Sequence, residues 1–242
     1  MSSIYRLRPY NENTLSELSD AYLWFSKPSA FKDVEDSNVQ LMIAENKILQ
    51  RAFSLVLNED GLKELQQKLR HIGICCYTTE IPSINDRKYF PNGKTSICIE
   101  YDKEKLVSYF HNSIGMHDCL KEVIYSNEPV KIENNGDYHI LMHKDDNGEY
   151  YESILGMRFY PNRFFEKMLF FMLTRINEKY INQKELRILW GGFRIVESEN
   201  LGYHVNIPKD CIKCIYIYPD TPTKFIKAIK KLGYDVKTIE CY

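Results

Sequence analysis

Short runs in which apolar and polar residues alternate recur from one end of the chain to the other: SSIYRLR, AYLWFS, GICCYTT, TSICIEY, ELRILW and CIKCIYIY. A period of two marks a strand with one face buried. LKEVIYS, DYHILMH, YHVNI and YDVKTIE extend the set of predicted strands. Helical spacing falls between them. NENTLSELS carries Leu15 and Leu18, Ser37 to Leu57 fits a long helix, and Asn58 to His71 fits another with Gly73 as its cap. DKEKLVSYF is a helix, and Tyr160 to Asn177 is apolar nearly all round, as a buried helix should be. TPTKFIKAIKKLG closes the series, with Thr221 expected as N-cap and Pro222 at the first helical position. The elements lack the regular beat of a doubly wound sheet, and no G-x-G-x-x-G opens a helix. The expected class is α+β: mixed, partly antiparallel sheets with flanking helices, in a single domain over 1–242.

Composition fits one large core. Of 242 residues, 44% are hydrophobic and 27% charged, and the formal charge of −1 creates no overall field toward nucleic acid or an anionic membrane. Eighteen tyrosines and 12 phenylalanines point to an aromatic-rich core, some of it available to stack on a planar ligand. MSSIYRLRPY lacks a signal-peptide apolar core, and the cluster Phe164 to Leu173, interrupted by Glu166 and Lys167, is too short to cross a bilayer. A cytoplasmic protein that does not meet a membrane is expected.

Several familiar chemistries are disfavoured. The seven cysteines form no disulfide framework, and Cys211-x-x-Cys214 lacks the second pair of a structural zinc site. Asn92-Gly93-Lys94-Thr95-Ser96 has the tail of a Walker A loop without its first glycine, so a hairpin turn is the better reading. His139 and His143 fall four apart on a strand, roughly 13 Å from each other, too far to share a metal ion. Lys224, Lys227, Lys230 and Lys231 read as a solvated helix face. Cys75 and Cys76 have no histidine tied to them, and no G-x-S-x-G elbow is present.

What remains is polar residues placed in or beside apolar strands: Arg6 and Arg8, Ser26, and Gln183-Lys184-Glu185. Within a strand, Gln183 and Glu185 would share a face. A carboxylate, an arginine and a hydroxyl suit cleavage of the glycosidic bond of NAD. There the carboxylate steadies an oxocarbenium-like ribose and the arginine grips a phosphate. The plainer alternative makes Glu185 and Arg187 a surface ion pair.

IYRLRPYNENTLSELSDAYLWFSKPSAFKD resembles the opening of a widespread bacterial family, domain of unknown function 2971, whose members begin with a basic strand and then L-W-F-S-x-P-x-x-F-N-D-P. SICIEYD, LKEVIYSNEPV, YINQKELRI and IPKDCIKCIYI resemble its later strands, so the likeness covers nearly the whole chain. Departures are Lys32-Asp33-Val34 for Asn-Asp-Pro, Gln183 for the first glutamate of Glu-x-Glu, and Tyr180 for the usual tryptophan. That family's layout is in turn similar to arginine–serine–glutamate ADP-ribosyltransferases. The resemblance implies two packed sheets with a helical insertion near 37–72, and NAD in the cleft between them. It assigns Arg6 or Arg8 to the first motif, Ser26 to the second, with Tyr22 of the same strand as a further NAD contact, and Gln183 and Glu185 to the third. The implied activity is an ADP-ribosyltransferase or NAD glycohydrolase acting on a protein or nucleic acid. Its setting would be a toxin or antiviral component with an inhibitory or activating protein partner. The competing expectation is a non-catalytic binding or sensor module of a bacterial defence assembly, using the lysine helix and aromatic surface. A nuclease built on Asp33, Glu35 and Asp36 is a third.

Overall fold

A computed structural model describes residues 2–31, 71–114, 119–127, 131–135, 138–145, 148–155, 173–191 and 201–240 of the chain. The long helices expected over Ser37–Leu57 and Asn58–His71, the Asp33–Asp36 cluster and the bulk of the 37–72 insertion lie outside these residues, apart from a turn at His71 and the strand that begins at Ile72. The architecture is α+β, with a largely antiparallel sheet and a few helices.

The chain enters on β1 (Ser3–Pro9) and turns through α1 (Glu12–Asp20), whose first turn is closed by the Asn11 side chain accepting from the Thr14 N–H at 3.0 Å. A left-handed Ala21 (φ 51°) ends α1 and starts β2 (Tyr22–Ser26). β3 (Ile72–Thr78) and β4 (Ser96–Asp102) are almost wholly buried, and their apolar runs suit strands covered on both faces. They do not form a hairpin, because β1 lies between them, antiparallel to both. Asn92-Gly93 makes a tight non-hairpin turn instead, with Asn92 left-handed at φ 56°. A side chain at Gly93 would collide with the Arg87 carbonyl.

After α2 (Lys103–Tyr109), LKEVIYS divides into β5 (Leu120–Glu122) and β6 (Ile124–Tyr125), broken at Val123. β7 (Lys131–Asn135), β8 (Tyr138–Asp145) and β9 (Gly148–Leu155) form a separate antiparallel meander, and β8 carries both His139 and His143. The helix expected to run to Asn177 has given way by Arg175, where β10 (Arg175–Ile176) pairs in parallel with β6. β11 (Glu185–Gly191) and β12 (Gly202–Asn206) follow, then β13 (Ile212–Ile217), α3 (Thr223–Lys231) and β14 (Val236–Thr238). Thr221 is not the N-cap of α3. Its hydroxyl accepts from the Tyr218 N–H at 3.0 Å and closes the preceding turn, while Pro222 occupies the cap. Gly73 is likewise no helix cap. It sits inside β3, where a Cβ would lie 2.6 Å from Phe25 Cβ, and so lets β2 pack against the strand.

Nine of the described strands hydrogen-bond into one sheet that forks, beside the β7–β9 meander and the β6–β10 pair. β3 is paired along its whole length with β11 on one flank, from Glu185↔Thr78 to Gly191↔Ile72. On its other flank it meets β1 only at Tyr5↔Thr78 and β2 only at Ser26↔Ile74. β1 therefore leads one prong with β4, β13 and β14, and β2 leads the other with β12. On the face toward α1 and α3, Ile4, Leu18, Leu23, Ile97, Ile99, Tyr101, Ile215 and Ile229 form the centre of the core, all at most 1% exposed. Burial of each such aliphatic side chain contributes about 1.5–3 kcal/mol against its cost in chain entropy.

The described residues include no helix long and apolar enough to cross a membrane.

Candidate functional site

An open fork leaves strand edges without ladder partners, and buried backbone groups must be satisfied some other way. Here a side chain does it. Arg6, on β1, sends Nη2 across the gap to the Trp24 carbonyl of β2 at 2.7 Å and Nη1 to Glu17 Oε1 of α1 at 2.7 Å. Glu17 is fully buried, and its second oxygen lies 2.6 Å from Arg8 Nε. That N–H does not point along the line of contact, so the attraction is ionic rather than a formed hydrogen bond. Burial works against the charge on Arg6, but the Glu17 carboxylate in contact with it holds it firmly protonated. Burial also pushes the Cys75 thiol and the Tyr77 and Tyr101 phenols up, so these neighbours stay neutral.

A cavity of about 610 Å³ opens at the fork, within the range of small-molecule sites. Its walls include Arg6, Arg8, Ser26, Gln183 and Glu185. Direct cross-strand partners share a sheet face. Glu185, Thr78 and Tyr5 thus project to one side, while Arg6 and Arg8 alternate to the other. Side chains of both faces can border one cavity because the ladder between β1 and β3 stops at Tyr5. Aromatic walls come from Tyr5, Phe31, Tyr77, Tyr89, Phe90 and Tyr180.

Glu185 opens β11 and is 7% exposed. Its Oε1 accepts from Arg187 Nε at 2.8 Å and its Oε2 from Arg187 Nη2 at 3.3 Å. Arg187, two residues on and so on the same face, is wholly buried and donates from Nη1 to the Leu173 carbonyl at 2.6 Å. The pair is therefore interior, not the surface ion pair that the sequence also allowed. The Glu185 N–H donates to the Tyr125 hydroxyl at 2.6 Å; burial pushes that phenol up to about 12.

Gln183 is not on the strand. It ends a 3-10 helix (Glu178–Gln183), and Lys184, left-handed at φ 44°, turns the chain before β11 begins. Gln183 still reaches the cavity, held by its amide nitrogen donating to the Tyr89 carbonyl at 2.7 Å. Ser26 and Glu185 do not meet. They pair with Ile74 and Thr78, about 13 Å apart along β3 and on opposite flanks, so Ser26 cannot orient the carboxylate. Tyr22 is not a cavity residue: it stands at the far end of β2, its ring 5.4 Å from that of His204.

Sequence reasoning left Arg6 and Arg8 equivalent, and the structure separates them. Arg6 is consumed by Glu17 and Trp24. Arg8 is 19% exposed in its side chain and borders the cavity, and among the described residues Glu17 is its one partner, met through Nε. Three further groups were missed: Arg187, Glu17, and the Lys88–Asn92 loop that closes the mouth. Glu17 had a signal, as the acidic residue that helical spacing sets beside buried Leu18.

The six described cysteines are free, Cys211 and Cys214 among them, and no cluster of three or more metal-ligating side chains occurs among the described residues. The lysines of α3 are solvated opposite buried Phe225 and Ile229. No family model, curated protein or solved structure gives a match to this chain.

Proposed function

We propose that the chain binds NAD in the fork and breaks its nicotinamide–ribose bond, passing ADP-ribose to a macromolecule. On this reading the forked sheet is an ADP-ribosyltransferase-like fold, and the likeness to domain of unknown function 2971 is a family relationship. The observation that carries it is that Arg8, Ser26, Gln183 and Glu185, from four separate segments, border a single cavity. Size and lining fit the dinucleotide: the half-buried Arg8, paired with Glu17 through Nε, turns its guanidinium to the phosphates, and the aromatic walls offer faces to the rings.

The C–N bond breaks with its electron pair leaving on nicotinamide, whose ring nitrogen thereby loses its positive charge. Glu185 accepts a hydrogen bond from a ribose hydroxyl and offsets the charge growing on the sugar. The acceptor, or water, then adds to the ribosyl carbon and gives up a proton. Ser26, displaced from Glu185, meets the other end of the ligand. Unchecked loss of NAD harms a cell, so the implied setting is a cytoplasmic toxin or antiviral effector controlled by a protein partner.

Purified wild-type and Glu185→Gln proteins with labelled NAD test this, with label followed in protein, nucleic acid and free nucleotide. The expected result is cleavage by wild type and a loss of at least about 100-fold in the variant. Turnover retained by Glu185→Gln overturns the reading.

One observation favours a second reading, a non-catalytic binding module. Both Glu185 oxygens already accept from Arg187, as in a purely structural pair. It requires that NAD does not bind, that Glu185→Gln alters stability alone, and that substitutions on the lysine face of α3 abolish partner capture.

A further inference from the structure

The cavity has two ends, and the sheet register sets how far apart they lie. Tyr5, Thr78 and Glu185 form one row across β1, β3 and β11. β1 and β2 both run antiparallel to β3, so they leave that row in the same direction. Arg8 stands three residues along β1, about 10 Å from the row, and Ser26 pairs with Ile74, about 13 Å from it along β3. Arg6 crosses the gap between these two strands to the Trp24 carbonyl at 2.7 Å. Arg8 and Ser26 each lie two residues beyond that bridge, both half-buried and both on the cavity wall.

Charge is distributed unevenly between the two ends. Among the described residues that line the cavity, Glu185 is the one carboxylate, and it belongs to the first row. At the far end a single carboxylate, Glu17, serves two guanidinium groups, lying 2.7 Å from Arg6 and 2.6 Å from Arg8. That cluster keeps a net positive charge in a poorly solvated seam, where it attracts a phosphate dianion far more than a neutral hydroxyl. A reacting ribose at Glu185 is followed at once by the pyrophosphate, which falls level with Arg6. The adenosine ribose then lies beside Arg8 and Ser26. Dinucleotide sites that read the free 2′-hydroxyl of this ribose place a carboxylate against it, whereas an arginine there accommodates a 2′-phosphate. A guanidinium with a hydroxyl nearby is the second arrangement.

We propose that the far end of the fork is a phosphate subsite in which Arg8 and Ser26 hold a 2′-phosphate on the adenosine ribose, so that the cavity prefers the 2′-phosphorylated dinucleotide to NAD. The placement of the two riboses rests on the reaction proposed above. Arg8 is the specificity-determining residue: its guanidinium lies between the pyrophosphate and the 2′ position, and Ser26 adds a hydroxyl donor. The extra phosphate stays about 10 Å from Glu185. It therefore strengthens binding of substrate and transition state alike, lowering KM and leaving kcat unaltered.

Isothermal titration calorimetry with adenosine 5′-monophosphate and adenosine 2′,5′-bisphosphate tests the subsite with ligands that have no nicotinamide bond to cleave. Full-length wild type, Arg8→Gln and Ser26→Asp are compared, each with folding checked by circular dichroism. Wild type should bind the bisphosphate at least about tenfold tighter, as one charge-assisted contact provides. Either substitution should bring that ratio to about one or below, Ser26→Asp by setting a carboxylate against the phosphate. Labelled NAD and its 2′-phosphorylated form are then supplied to wild type and Ser26→Asp. The phosphorylated form should show the lower KM at equal kcat in wild type, and the order should reverse in Ser26→Asp. A wild-type ratio near one, or a gain that survives both substitutions, overturns the proposal. NAD cleaved with no gain from the 2′-phosphate upholds the reaction and overturns the subsite. A gain lost in the variants while neither dinucleotide is cleaved upholds the subsite and rejects the reaction.

Discussion

Two buried carboxylates lie on opposite sides of the fork, each gripped by arginine, and the contrast between them separates architecture from chemistry. Glu17 sits between Arg6 and Arg8, has no exposure and does not border the cavity, and its cluster carries a net single positive charge. Glu185 has one arginine, is 7% exposed and borders the cavity, and its pair is neutral. The first is a girder. Its carboxylate neutralises a cation that bridges β1 to β2, and it has nothing left to offer a ligand. The second is held in position by Arg187 while facing open space. Buried ion pairs are poor evidence of stability, since desolvation cancels much of the attraction. What distinguishes this pair is therefore access to the cavity.

The largest expected effect is Glu17→Gln, which leaves the buried Arg6 and the half-buried Arg8 without their counter-charge. Urea unfolding should show a loss of about 3–5 kcal/mol, and a loss under 1 kcal/mol would show that Glu17 does not carry the fork. Arg187→Met should cost less, about 2–3 kcal/mol, because the stranded carboxylate borders the cavity and can regain water. Equal costs for the two substitutions would erase the distinction drawn between the two sites.

Glu100 calibrates the comparison from outside, on the solvent side of the same sheet. Burial alone would raise its pKa, yet hydrogen bonds from Ser3, Tyr216 and Lys213 together hold it below the ordinary 4.5. A depressed carboxylate stabilises the fold above its unfolded value, and that contribution disappears as pH falls through the folded value. The difference in urea midpoint between wild type and Glu100→Gln should be present near neutral pH and vanish in stronger acid. A difference that persists at low pH would refute this linkage. The smallest effect is expected for Lys184→Gly. Glycine suits φ 44° but loses the exposed contact to Glu80, so thermal unfolding should move by less than about 1 kcal/mol with the cavity unchanged.

The strands were legible because alternation is a local signal: SIYRLRP, YLWFS, SICIEYD, ELRILWG and IKCIYI each became one. The ends of elements were less legible, since tertiary contacts decide them. Thr221 was drawn to a nearby turn, and Arg175 left a helical pattern to pair with β6. Arg6, Arg8, Ser26, Gln183 and Glu185 could be named from sequence as polar groups in or beside apolar strands, which are costly without a purpose. Their grouping could not. It depends on the long-range pairing that opens the fork, and nothing near Tyr22 signals that its end of β2 points away. Arg187 was read as the surface partner of Glu185, because a charged residue beside a glutamate looks solvated until its burial is known.

The fork also divides the sheet in time. β1 holds β4 through seven residue pairs and β3 holds β11 through seven, whereas β1 and β3 share one. Amide protons inside either ladder are released only when that ladder opens, and the two ladders can open independently. Native-state hydrogen exchange should therefore resolve two protected blocks, one of β1, β4 and β13 and one of β3 and β11, with the fastest exchange along the seam where they part.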